Sequence, residues 1–312
     1  MKGNIFQKNV LLKNYTTFKI GGPAKYFLIA KTKEDLMKGV ESAKKLKLPV
    51  FILGGGSNVL VSDKGFNGLV IKMENLKIDI FDQDSIYVES GVNSAKLMKF
   101  TIENSLSGVE WFAGVPGTVG GAIFGNAQAF GKKMSESIKS IEVLDLKTSK
   151  IIKLSNKQCK FSLKNSIFKK NKNLIILSAT LKLNKSKKEE VEAKVKENMD
   201  YRKKNHPIKF PSAGSVFVNP ELIVKNKKLL AKFPELIEFN KWGVVHVGYL
   251  IEKCGLKGKR IGNAQISLQH ANFIVNLGGA KAKDVLRLIE LAKQKVKKTF
   301  NINLQQEIIW KS

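Results

Sequence analysis

Leu53-Gly54-Gly55-Gly56-Ser57-Asn58-Val59-Leu60-Val61 is the stretch on which the reading of this chain turns. The three adjacent glycines follow a short apolar run, Pro49 to Leu53, and lead into a second, Val59 to Val61. Glycine carries no Cβ, so successive main-chain N–H groups can turn into one concavity without steric cost. Such a nest suits a pyrophosphate, and the side chains of Ser57 and Asn58 can add hydrogen bonds to it. The stretch is not the Rossmann fingerprint, because Val59 stands where a third spaced glycine is needed, and no Gly-Lys-Ser/Thr follows to make it a P-loop. The plain alternative is a tight turn between two strands.

A second loop, Gly114-Val115-Pro116-Gly117-Thr118-Val119-Gly120-Gly121-Ala122, is again rich in glycine and is followed by Asn126-Ala127. Small residues let a flat ligand lie close against the backbone, and the Thr118 hydroxyl with nearby N–H groups can bond phosphate or ring edges. Close packing of the chain on itself is the competing explanation. A third small-residue cluster runs from Thr16 to Pro23. The candidate ligand-binding residues are thus Gly54, Gly55, Gly56, Ser57 and Asn58 in the first loop. In the second they are Gly114, Pro116, Gly117, Thr118, Gly120, Gly121 and Ala122.

Outward from these loops the pattern alternates. Strands are expected at Lys25 to Ala30, Pro49 to Leu53, Gly68 to Met73, Ser85 to Glu89, Ser140 to Asp145, Lys150 to Leu154, Leu174 to Leu183 and Leu304 to Trp310. Helices are expected at Thr32 to Leu46, with Thr32 as N-cap and Glu34 and Asp35 in the first turn, and at Ser94 to Asn104, Lys187 to Lys203 and Asp284 to Phe300. Mixed elements of this kind predict a mixed α/β or α+β protein, with soft boundaries near residues 75 and 203.

A chain of 312 residues with 43% hydrophobic content can bury a substantial core in two or three domains. No run approaches the ~18 consecutive apolar residues of a membrane span. Met1 to Lys13 has no apolar core ending in small residues, so no secretion signal is read there. Cys159 and Cys254 lie far apart and only His206, His246 and His270 are present, so neither a disulfide framework nor a metal site is expected, which fits a reducing cytoplasm. The formal charge of +29 invites a nucleic-acid reading, yet only Arg202, Arg260 and Arg287 among the 55 basic residues are arginines and the lysines are scattered. Arginine's planar fork is what base readers exploit, so compositional drift toward lysine explains the charge better, and no nucleic-acid or membrane partner is expected.

Taken in order, "NYTTFKIGGPA" from Asn14, "LGGGSNVLVSDKGFNGLVI" from Leu53, "GVPGTVGGAIFGNA" from Gly114, "NSIFK" from Asn165, "PSAGSVFVNP" from Pro211, "CGLKG" from Cys254 and "HANFIVN" from His270 resemble flavoproteins of the vanillyl-alcohol-oxidase type. More narrowly, they resemble the UDP-N-acetylenolpyruvoylglucosamine reductase family in its compact form. The resemblance implies an α+β fold: a two-part FAD-binding region of the vanillyl-alcohol-oxidase type, residues 1–75 and 76–203, and a C-terminal α/β substrate domain, 204–312. It implies FAD and NADPH as cofactors, a UDP-sugar substrate in peptidoglycan precursor synthesis, a cytoplasmic location and a monomer.

Hydride addition to C3 of an enolpyruvyl group leaves negative charge spread onto its carboxylate. A proton donor at C2 and a positive group at the carboxylate are therefore needed. By the resemblance Ser215 takes the donor's place and Glu307 that of a second acid. Family members carry another acid two positions before it, where this chain has Gln305. They also read Tyr-Arg where this chain has Leu163-Lys164, the arginine facing the carboxylate; lysine supplies charge without the bidentate fork. Arg202 and Asn219 align with substrate contacts, while His270 and Asn272 are open between site and core. A related FAD oxidoreductase with another substrate, or a flavin- or nucleotide-binding descendant without activity, remain the alternatives.

Overall fold

The computed structural model describes residues 6–312. The first five residues of the 1–75 segment, which also begin the stretch read as lacking a secretion signal, lie outside the described residues. The chain is α+β and divides into two compact units.

The first unit comprises the chain up to Val10, Pro23–Gly56 and Phe66–Lys204. Its four-stranded sheet has the order Gln7–Leu11, Pro23–Ala30, Phe66–Met73, Val50–Leu53, and both Pro23–Ala30 and Val50–Leu53 run parallel to Phe66–Met73. Parallel strands need a crossover, and the helix Lys33–Lys45 provides it between Pro23–Ala30 and Val50–Leu53, which flank Phe66–Met73. A capping box starts it: the Thr32 hydroxyl accepts from Asp35 N and the Asp35 carboxylate accepts from Thr32 N, both at 3.1 Å. Leu36, Gly39 and Ala43 form its buried face, and Gly39 is small because a Cβ there would run into Leu28.

The unit's second sheet is antiparallel, ordered Lys150–Ser155, Ile138–Asp145, Leu174–Lys182, Ser85–Glu89, Ile78–Asp82. Strand residues alternate between faces. Ile175 and Leu177 accordingly join a core with Leu36, Leu69 and Ile71, while Ile176 joins another with Ile86, Ile123 and Phe168. Covered on both faces, the strand reads as an almost unbroken apolar run.

Asn75 is buried beside this sheet. Its Nδ2 donates to Leu177 O at 3.0 Å, and its Oδ1 accepts from Gly91 N at 3.0 Å and Ser90 Oγ at 3.3 Å. Ser90 O in turn accepts from Gly120 N at 2.9 Å, and Val92 O from Val119 N at 2.8 Å. A single amide thus fixes the segment on which the second glycine loop rests.

The second unit comprises Leu11–Gly22, Ser57–Gly65 and Asn205–Ser312. Its antiparallel sheet is ordered Ser212–Ser215, Phe273–Asn276, Ala264–Ile266, Arg260–Ile261. The helix Ala282–Phe300 lays Val285, Leu288, Ile289, Ala292, Val296 and Phe300 along one buried stripe of three- and four-residue steps. It lacks a cap of its own, and the Asp63 carboxylate accepts from Ala282 N and Lys283 N instead, at 2.9 and 3.3 Å. Val59–Val61 pairs in parallel with Ile309–Lys311. The chain therefore leaves one unit and enters the other inside the first glycine loop, between Gly56 and Ser57.

Two expectations are corrected. Of Leu304 to Trp310, only Ile309 and Trp310 lie in a strand, Ile309–Lys311. The residues before it bond elsewhere, Val218 N to Gln305 O and Glu307 N to Val216 O, so the pairing partner changes midway and no single ladder forms. The second glycine loop holds a helix, Val119–Gly125, hidden in the sequence by its three glycines and created by the Thr118 cap and the Ser90–Val92 support. Short helices Lys227–Lys232, Glu235–Trp242 and Val247–Lys253 occupy a region where periodicity gave no signal.

Asn75→Ala leaves Gly91 N buried without a partner and removes one of the two donors to Leu177 O, the other being Ser90 N, a cost of about 2 kcal/mol. Thermal unfolding followed by circular dichroism should show a midpoint lowered by at least ~4 °C; an unchanged midpoint would remove the bracing role of Asn75.

Candidate active site

In the first unit the two glycine loops touch backbone to backbone. A Cβ on Gly55 would lie 2.5 Å from Gly117 Cα and one on Gly54 2.6 Å from Thr118 Oγ1, while on Gly120 it would lie 2.7 Å from Ser90 Cβ. Close packing therefore accounts for these three glycines. It also has a consequence for binding. The N–H groups of Gly54, Gly55 and Gly117, all half-buried, donate to no acceptor among the described residues. Unpaired donors gathered on two abutting loops fit an anionic ligand such as a dinucleotide pyrophosphate.

The remaining loop residues divide by exposure. Gly56 and Gly117 hold left-handed or extended positive φ, +63° and +127°. Gly121 is exposed, and a Cβ there would meet only Thr118 Oγ1 at 3.6 Å, so nothing in the protein requires a glycine at that position. Thr118 spends its hydroxyl oxygen as N-cap, accepting from Gly121 N at 3.3 Å. Ala122 is buried, whereas Gly114 and Pro116 are exposed.

Lys164 sits on a tight turn. Ser162 and Asn165 exchange main-chain hydrogen bonds of 3.1 Å each, leaving Leu163 and Lys164 at the corner, Lys164 with φ +49°. Three hydrogen bonds fasten the turn. Asn126 Nδ2 donates to Ser162 O at 2.9 Å, Ser166 Oγ to Phe124 O at 2.7 Å, and Lys169 Nζ to Lys164 O at 2.6 Å. Phe124 and Asn126 end the helix that the second glycine loop begins, so Lys164 is mounted on the far end of that loop's own helix. Arg202 also grips the loop: its Nε donates to Gly114 O at 2.9 Å, and Gly114, at φ +66°, admits its Cδ within 3.3 Å of where a Cβ would be. Burial pushes the guanidinium below its usual pKa. The Cys159 thiol is buried and pushed up to about 11 by desolvation, which removes it as a nucleophile near neutral pH.

In the second unit Ser215 ends its strand after a bulge. Ser212 pairs with Val275 and Ser215 with Phe273, so one extra residue is absorbed, and Gly214 takes φ +74° to allow it. The Ser215 hydroxyl is half-buried and makes no hydrogen bond among the described residues. Glu307 runs alongside: its N–H donates to Val216 O at 2.7 Å, and its carbonyl accepts from Asn58 Nδ2 at 3.3 Å. Ser215, Glu307 and Asn58 are therefore brought together, with the Asn58 amide nitrogen engaged by main chain. Asn219 Oδ1 caps the helix Val247–Lys253 by accepting from Val247 N at 3.0 Å, leaving its amide N–H₂ without a partner among the described residues.

Of the two residues left open between site and core, Asn272 is buried and His270 half-buried. Asn272 bonds both main-chain groups of Phe217, at 3.0 and 2.9 Å, as a strand would. His270 lies against His206 and Phe273 and is held below its usual pKa by burial. Asn126, Ser166 and Gly214 carry parts of the site that sequence reasoning did not single out. Their signal was position only, each adjoining a candidate residue or motif.

The two kinds of glycine are separable by experiment. Gly55→Ala should lower the thermal midpoint and abolish uptake of a flavin dinucleotide, because the loops must part. Gly121→Ala should leave the midpoint within ~1 °C yet weaken flavin binding by about tenfold, as expected when a methyl group holds the ligand off the backbone. Flavin titration monitored by fluorescence decides, and unchanged affinity in Gly121→Ala would show that no ligand approaches there.

Comparison with known proteins adds to this geometry. Residues 24–155 match a family model described as an FAD binding domain, and residues 206–310 match one described as the C-terminal domain of UDP-N-acetylenolpyruvoylglucosamine reductase. The chain is 37% identical over 302 residues to UDP-N-acetylenolpyruvoylglucosamine reductase of Clostridium novyi (strain NT), covering 97% of this chain and 91% of that one. It is 39% identical over 304 residues to that of Fervidobacterium nodosum (strain ATCC 35602 / DSM 5306 / Rt17-B1), covering 97% and 91%. The crystal structure of UDP-N-acetylenolpyruvylglucosamine reductase from Thermus caldophilus superposes with a TM-score of 0.78 at 32% identity, covering 98% of this chain and all of the other. With both glycine loops and both units accounted for in that likeness, the chain belongs to the UDP-N-acetylenolpyruvoylglucosamine reductase family.

Proposed function

We propose that this chain performs its family's NADPH-dependent, FAD-mediated reduction of the enolpyruvyl group of UDP-N-acetylglucosamine-enolpyruvate to UDP-N-acetylmuramate, with the residue roles that follow. The observation that carries the reading is the pair of abutting glycine loops with unpaired N–H groups at Gly54, Gly55 and Gly117, on a scaffold that also mounts Lys164. Those N–H groups bind the FAD pyrophosphate, with Gly56, Ser57 and Asn58 completing the first loop. Gly114, Pro116, Gly120, Gly121 and Ala122 form the wall beside the flavin, and Thr118 sets its shape as cap. Bound there, FAD would supply the hydride chemistry that links NADPH to the enolpyruvyl group.

The protein handles the charge that results. Lys164 neutralises the enolpyruvyl carboxylate as a point charge. Ser215 donates the proton to C2. A hydroxyl is a weak acid, but a carbanion-like carbon is strongly basic, and the Ser215 oxygen is committed to no other acceptor among the described residues. Glu307, on the segment bonded to Val216, is the acid beside it. Arg202 holds the UDP diphosphate with the guanidinium nitrogens left after Nε is spent on Gly114 O, and Asn219 offers its unpartnered amide N–H₂ to the same substrate.

In this reading residues 1–75 and 76–203 serve the flavin and 204–312 the sugar nucleotide. The enzyme acts as a cytoplasmic monomer without a nucleic-acid partner; three arginines among 55 basic residues speak against base readout, and two distant cysteines fit a reducing compartment. Among the described residues no helix is long and apolar enough to cross a membrane.

The two half-reactions separate the roles. NADPH oxidation at the flavin creates no carbon needing a proton, so Ser215→Ala should leave flavin bleaching by NADPH intact. Reoxidation by the enolpyruvyl sugar nucleotide should slow roughly 10²-fold or more, as expected for a missing proton donor. Lys164→Ala should slow the same second step. Rapid mixing of each half-reaction provides the measurement, and equal slowing of both by Ser215→Ala would overturn the donor assignment.

A further inference from the structure

We infer that Asn126 is a positioning residue for the second half-reaction: it sets the Lys164 turn against the helix of the second glycine loop, and so places the carboxylate-neutralising charge relative to the flavin wall. The inference rests on the assignment of Lys164 to the substrate carboxylate given above.

Asn126 is 2% exposed and occupies the left-handed C-cap of the helix Val119–Gly125, at φ +42°. Both ends of its amide are used. Nδ2 donates to Ser162 O at 2.9 Å, the first residue of the Lys164 turn, and Oδ1 accepts from Ser135 N at 3.0 Å. The helix that Asn126 terminates begins with Gly120, Gly121 and Ala122 of the loop, so less than two helical turns separate the flavin wall from the clamp. A lysine needs such a clamp more than an arginine does. A bidentate guanidinium aligns itself on a carboxylate, whereas an ammonium on a flexible stem is placed only as well as its own main chain is held. Here that main chain is a left-handed corner, with the carbonyl of Lys164 accepting from Lys169 and that of Ser162 accepting from Asn126. A buried, fully bonded amide fixes geometry because any displacement leaves a polar atom unpaired.

Two substitutions isolate the clamp. Asn126→Gly keeps the left-handed cap and removes the side chain. Asn126→Asp keeps an acceptor for Ser135 N but sets an oxygen against Ser162 O. Both are tested as FAD-loaded enzyme, with flavin content and flavin bleaching by NADPH measured first and expected to match the parent. Reoxidation by the enolpyruvyl sugar nucleotide should slow about tenfold in each, the scale of a misplaced charge rather than an absent one. Combined with Lys164→Ala, neither should add more than about twofold, because residues acting through one another are not additive. A full tenfold effect in the Lys164→Ala background, an unchanged rate in the parent background, or loss of flavin in both variants would each overturn the inference. If Lys164→Ala itself left reoxidation unchanged, the carboxylate assignment would fall and the inference with it. A slow Lys164→Ala beside a normal Asn126→Gly would sink the inference alone.

Discussion

The contact between Gly55 and Gly117 is the constraint on which the flavin-binding unit depends. Two loops approach until a methyl group on one would lie 2.5 Å from the main chain of the other. Dispersion between two backbones is small, so the approach must be imposed from elsewhere. The first loop is delivered by a parallel strand, Val50–Leu53, whose register against Phe66–Met73 is fixed by the sheet. The second is set by Gly120 N and Val119 N on Ser90 O and Val92 O, and those are held in turn by Asn75. What the packing leaves over is as important as what it uses. Side-chain-free loops pressed together cannot also pair all their N–H groups, and the unpaired ones are the donors proposed above for the ligand.

The second unit solves a different problem with related means. The strand that ends at Ser215 carries a bulge with Gly214 at φ +74°. The C-terminal segment pairs first with Val216 and Val218 and then, past residue 308, with Val59–Val61, which sets Glu307 alongside Val216. Asn58 sits at the change of partner, donating to Glu307 O and accepting from Ile309 N. The stretch that follows the glycine nest in sequence is thus bonded to the same C-terminal segment that carries the residue proposed as the second acid. That explains why Ser57-Asn58 and the glycines before them form one unbroken motif although they belong to different units.

Much of this was legible beforehand, for identifiable reasons. Thr32 with Asp35, and the stripe from Val285 to Phe300, are local patterns whose physics acts within a few residues, and the elements they announce are present. The glycine loops were legible as loops but not in their cause. That Gly55 faces Gly117 and Gly120 faces Ser90 depends on residues some 60 and 30 positions away. The helix Val119–Gly125 was hidden for the same reason, since three glycines oppose it locally and tertiary hydrogen bonds restore it. Asn75 and Asp63 could not be read at all, and Asn126 only by its place after the second loop, because a buried or capping polar residue is defined by partners that sequence spacing does not reveal.

The two departures from the family's pattern can now be weighed by charge and geometry. Lys164 in place of arginine keeps the positive charge but surrenders the planar fork; Gln305 in place of an acid removes a negative charge. The balance shifts by one unit toward positive, which favours an anionic intermediate and opposes nothing in a substrate that itself carries a carboxylate and a diphosphate. The cost falls on orientation. Gln305 retains its main-chain bond to Val218, so the segment that carries Glu307 keeps its pairing whatever the side chain at 305. Lys164 has no such neutrality, because its direction depends on a left-handed corner that an L-residue adopts only under constraint. Three hydrogen bonds from Asn126, Ser166 and Lys169 converge on that corner and its flanks, and they supply from the backbone the directional control that the guanidinium would have supplied from its own shape.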